Sequence, residues 1–84
     1  MGSKARYGLV VYNDDAFSFE DIKELLQLSM GYDPIRALQC AVIIHNAGYY
    51  NVKSFKSIDQ AEAVYEFLVK NGVSVELVEL GKKS

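Results

Sequence analysis

The sequence predicts a single α+β domain with the element order β-α-α-β-α-β, its helices covering one face of a three-stranded sheet. Three observations carry this reading. Short apolar or β-branched runs occur at Tyr7 to Tyr12, Tyr49 to Lys56 and Val73 to Val78, and these are strand signals. Between them lie stretches with apolar residues at helical spacing, each opened by a capping residue. The chain is 84 residues long, enough for one domain and too short for two. Three strands cannot bury themselves alone, so the helices must cover the sheet.

The first run, Tyr-Gly-Leu-Val-Val-Tyr at Tyr7 to Tyr12, reads as a buried strand, and Asn13-Asp14-Asp15 ends it with loop-forming residues. Ser18 is placed to cap the first helix, with Glu20 and Asp21 in its opening turn, where negative charge suits the helix dipole. Phe19, Ile22, Leu25, Leu26 and Ser29 then share one face, and Gly31 supplies a stop. Asp33-Pro34 restarts a helix with a cap followed by proline at the first helical position. Along this second helix Ile35, Leu38, Val42 and His45 form one stripe. Ala37, Cys40, Ala41, Ile43 and Ile44 widen its apolar surface, so the helix is expected to be covered on more than one side, with Gly48 at its end. Ser57 and Gln60 have the spacing of a capping box for the third helix, whose face is Ile58, Ala61, Val64, Tyr65 and Leu68. Asn71-Gly72 ends it, and Val73 to Val78 reads as a half-exposed last strand. The domain core is expected over about residues 7–79, and the tail from Gly81 to Ser84 is expected to fray.

Composition excludes several classes of function. Half the residues are apolar, enough for a small core, and the net charge is −2 with no basic run beyond Lys82-Lys83, which argues against a nucleic-acid-binding face. There is no apolar run long enough for a transmembrane helix, and Met1 to Lys4 lacks the apolar segment of a secretory signal. A single cysteine, Cys40, can form neither an internal disulfide nor a cysteine-based metal site; a reducing, cytoplasmic home is the expectation.

Two features stand out as candidate chemistry: Asn13-Asp14-Asp15, and His45, the sole histidine. Taken singly, the first is a turn before a helix and the second a histidine finishing a helix, where a cation suits the dipole. Taken together they offer an amide oxygen, two carboxylates and an imidazole nitrogen, all acceptors, with negative charge nearby. That combination is what an ammonium group requires. Glu20, Asp21 and Glu24 read instead as a solvated helix face. Small or apolar residues surround His45, with Ala41 four residues before it, and Phe19, Ile22 and Leu25 lie on the preceding helix; an apolar hollow there would hold the first side chain of a polypeptide. Acid–base catalysis by His45 beside Asp14 or Asp15, or a metal held by the same set, lacks a nucleophile motif or further partners, so no enzyme, metal or cofactor is expected.

The run Val-Val-Tyr-Asn-Asp-Asp, followed by an acid-rich helix and then Gly-Tyr-Asp…Ala…His with glycine three residues on, resembles the ClpS family over about Tyr7 to Glu79. The resemblance implies a three-stranded antiparallel sheet with three helices, similar to the C-terminal domain of the ribosomal stalk protein. It implies an adaptor that binds N-terminal Leu, Phe, Tyr or Trp and delivers the bearer to a Clp AAA+ unfoldase. By that resemblance Asn13, Asp14, Asp15 and His45 secure the α-amino group, and Phe19, Ile22, Leu25, Ala41 and Ile44 form the hydrophobic pocket. The chain also departs from the family. Ala16-Phe17-Ser18 replaces a Thr-Pro stretch, and Ala41 stands where a bulky Met commonly guards the pocket rim. Ile58 to Ala63 replaces the Glu-Val-Ala-Glu-Thr-Lys run that docks the unfoldase, with Ala63 in place of its lysine, and only Met1 to Arg6 stand where the family carries an N-terminal extension. The alternative these departures raise is a diverged ClpS-like interaction domain that does not dock the usual unfoldase.

Overall fold

The structure, a computed structural model, describes residues 6–80. The expectations for the leader and for the frayed tail fall outside these residues. The elements are β1 (Arg6–Tyr12), α1 (Phe19–Met30), α2 (Pro34–Ala47), β2 (Tyr49–Phe55), α3 (Ile58–Lys70) and β3 (Val75–Leu80). The strands form one antiparallel sheet in the order β2-β1-β3. The expected α+β architecture is therefore present, with the most apolar strand at the centre.

Pairing explains which residues reach the core. Leu9 lies opposite Leu77 and Val11 opposite Val75, so these four share the face that meets the helices. On β2 the core residues are Val52 and Phe55, three apart instead of two. A bulge accounts for the spacing: Leu9 pairs with Lys53 and Val10 with Asn51, which leaves Val52 without an opposite. The Val52 carbonyl finds a partner outside the ladder, accepting a 2.7 Å bond from the Tyr32 hydroxyl in the α1–α2 connection. Arg36 stacks over the Tyr32 ring, its guanidinium carbon 4.8 Å from the centroid, so the start of α2 is fixed against β2. Each helix contributes to the core: Ile22 and Leu26 from α1, Ala37, Cys40, Ala41 and Ile44 from α2, Ala61 and Leu68 from α3.

The helix ends follow the sequence, with two differences. The full capping box is at α1, where Ser18 Oγ accepts from Asp21 N at 3.1 Å and Asp21 Oδ2 accepts from Ser18 N at 3.0 Å. At α3 Ser57 Oγ accepts from Gln60 N at 3.3 Å, which is the one half of the expected box that forms. The second difference is at β3, which begins at Val75 instead of Val73. Gly72, at φ 84°, turns the chain out of α3, and the N–H groups of Gly72 and Val73 donate to the carbonyls of Val69 and Leu68. This is the double-bonded glycine stop of a helix, with the accompanying apolar contact between buried Val73 and Leu68. Val73, expected in a half-exposed strand, is instead buried in the core just after the end of α3.

Candidate functional site

The candidate acceptors lie on the β1–α1 loop and near the end of α2. β1 ends at Tyr12, and Asn13 N–H donates to the Gly48 carbonyl at 2.9 Å. Gly48, at φ 93°, terminates α2 by donating its own N–H to the Ile44 carbonyl at 2.9 Å. His45 lies in that same last turn. One backbone bond thus brings the loop carrying Asn13, Asp14 and Asp15 to the end of the helix carrying His45. Asn13, Asp15 and His45 are exposed, and no side-chain hydrogen bond among the described residues engages them.

Asp14 differs from its neighbours. Its Oδ1 accepts from Ala16 N–H at 2.9 Å and its Oδ2 from the Ser74 hydroxyl at 2.9 Å. The Ala16 N–H, and after it the Ser74 hydroxyl, hold the Asp14 carboxyl below the usual carboxylate range. The Asp14 carbonyl also accepts from Phe17 N–H at 3.0 Å, closing the turn that leads to the Ser18 cap. Nothing in the sequence alone points to Ser74, sixty residues away, which falls within the stretch that reads as the last strand.

The five expected pocket residues do not all line one open hollow. Ile22, Ala41 and Ile44 are buried in the core, Ala41 at 2% exposure. Phe19 and Leu25 are partly buried and pack against it. Leu25 lines a cavity of about 220 Å³ with Phe17, Asp21, Glu24, Leu28 and Asn71, on the side of α1 toward the end of α3. A cavity of about 400 Å³ lies at the far end of α1, against β2 and α3, around Met30, Phe55 and Val64. Neither is lined by Asn13, Asp15 or His45, which are exposed. Among the described residues no three metal-ligating side chains come together, and no helix is long and apolar enough to cross a membrane.

A three-stranded antiparallel sheet with three helices, and exposed acceptors where the β1–α1 loop meets the end of α2, defines a small α+β domain of the β-α-α-β-α-β class. The chain belongs to the ClpS family: the model for the ATP-dependent Clp protease adaptor protein ClpS matches residues 3–72. No curated protein matches the sequence at a significant level. Among solved structures the fold is similar to that of Agrobacterium tumefaciens ClpS2 bound to L-phenylalaninamide. That match has a TM-score of 0.78 at 13% identity and covers 92% of this chain and 99% of that one. At this identity the likeness speaks for the fold.

Proposed function

We propose that this chain is an N-degron adaptor: it binds the free α-amino group and bulky apolar first residue of a polypeptide and presents the bearer to a Clp AAA+ unfoldase. The observation that carries the reading is the Asn13–Gly48 backbone bond, which joins the acceptor loop to the helix end bearing His45. An ammonium there finds the Asn13 amide oxygen, the Asp15 carboxylate and a neutral His45 nitrogen, with Asp14 in the same loop. The first side chain would lie over the apolar ground of Phe19, Ile22, Leu25, Ala41 and Ile44. Family membership and the bound phenylalaninamide of the similar fold support the same class of ligand. Nothing in this reading calls for catalysis, a cofactor or a metal, and a cytoplasmic site of action goes with a Clp partner.

One observation favours a second reading of the delivery step. Exposed Ile58 and Ala63 occupy the stretch of α3 where the family carries its docking acid and lysine. A domain that reads N-termini without docking the usual unfoldase fits those residues, and a direct binding measurement with a Clp unfoldase separates the two.

The amine reading is tested at His45. As an acceptor the imidazole must be neutral; protonation leaves it with donors alone and sets like charge against the ammonium. His45→Ala is expected to weaken binding of a Leu-first peptide at neutral pH. A variant that keeps full affinity shows that His45 does not touch the ligand.

A further inference from the structure

We propose that Ser74 is a positioning residue of the amine site and that Asp14 serves as the strut it holds, not as a contact to the ammonium. The inference rests on the amine-binding reading above. Ser74, just before β3, grips the β1–α1 loop from two sides. Its carbonyl accepts from Tyr12 N–H at 2.9 Å, and its hydroxyl donates to Asp14 Oδ2 at 2.9 Å. Through Asp14 Oδ1 the grip continues to Ala16 N–H at 2.9 Å. On the other side of Asp14, the Asn13 N–H is fixed to Gly48. The loop therefore hangs between two anchors, the start of β3 and the end of α2, and Asp14 is the member that reaches the first. The residues on either side of it, Asn13 and Asp15, are exposed, and among the described residues no side-chain hydrogen bond engages them.

Both Asp14 oxygens already receive the chain's own donors, which makes this carboxylate a poorer acceptor for a ligand than Asp15. A loop held in one geometry also loses less conformational freedom on binding. The role of Asp14 is thus one of shape, and shape and charge can be separated. An asparagine keeps an oxygen for Ala16 N–H and offers its amide to the Ser74 oxygen, while removing the charge. At the protein surface the lost charge by itself is worth little for the fold.

The experiment measures the affinity of a Leu-first peptide, free and N-acetylated, for the unsubstituted chain and for Ser74→Ala, Ser74→Thr, Asp14→Ala and Asp14→Asn. Melting temperatures and the exchange rate of the Ala16 amide proton are recorded for each. Ser74→Ala is expected to weaken free-amine binding on the order of fivefold, as the loss of one hydrogen bond to a charged group at the surface. Ser74→Thr, which keeps the hydroxyl, restores it. Asp14→Ala, losing both bonds, weakens it on the order of tenfold or more, and Asp14→Asn recovers most of that loss. The Ala16 amide exchanges slowly in the unsubstituted chain and in Asp14→Asn, and fast in Asp14→Ala. Full affinity in Ser74→Ala overturns the role of Ser74. An Asp14→Asn variant as weak as Asp14→Ala overturns the strut, because the charge is then what the ammonium reads. Failure of the underlying amine reading looks different: the unsubstituted chain itself binds free and acetylated peptides alike, and the strut is then judged on the Ala16 amide, uniform exchange in all variants overturning it.

Discussion

Acetylating the first residue of a Phe- or Leu-first peptide is expected to weaken its binding by about 1.5–3 kcal/mol, the range for hydrogen bonds to a charged group. Acetylation removes the positive charge and leaves one N–H where an ammonium has three. Asn13, Asp15 and His45 are exposed, and no side-chain hydrogen bond among the described residues engages them, so each would lose the donor that the ammonium offers. Titration of the paired peptides by fluorescence anisotropy checks this, and equal affinities remove the ammonium from the account.

Truncating Ile44 to alanine is expected to destabilise the fold by about 2–5 kcal/mol, as for other large-to-small changes in a packed core. Ile44 is 1% exposed and among the largest fully buried side chains. Its carbonyl accepts the Gly48 N–H that stops α2, and its neighbour is His45. A domain of this size has a total stability of about 5–15 kcal/mol, so the loss is a large share of it. Val42, on the same helix but 40% exposed, is the control, since its alanine variant leaves no enclosed cavity. Urea unfolding of both variants gives the comparison. An Ile44→Ala loss no larger than that of Val42→Ala would mean that α2 is not seated on the sheet through this residue.

The legibility of fold and site in the sequence was uneven, for physical reasons. Helix starts were readable because Ser18, Asp33 and Ser57 act on N–H groups three residues away. The stops at Gly31 and Gly48 were readable for the same local reason, left-handed backbone being easiest for glycine. The bulge at Val52 was not, because it depends on what lies across the ladder. Val73 looked like strand because its apolar character suits either a strand or the end of a helix, and the bond to Leu68 decides between them. At the site, Asn13 and His45 could be nominated by chemistry alone. Asp14 was grouped with them by residue type, and only the three-dimensional arrangement shows its oxygens engaged by Ala16 and Ser74. The pocket residues share a helical spacing that serves core and ligand equally, and burial of Ile22, Ala41 and Ile44 shows how much of that surface the core itself uses.

The central claim, that this chain reads the first residue of a polypeptide, is tested most directly by affinities for short free-amine peptides that differ at the first position alone. Leu, Phe, Tyr and Trp at that position are expected to bind tightest, and Gly, Ser and Glu at least tenfold more weakly, since burying a large apolar side chain is worth about 1.5–3 kcal/mol. Equal affinity across the panel would contradict the account.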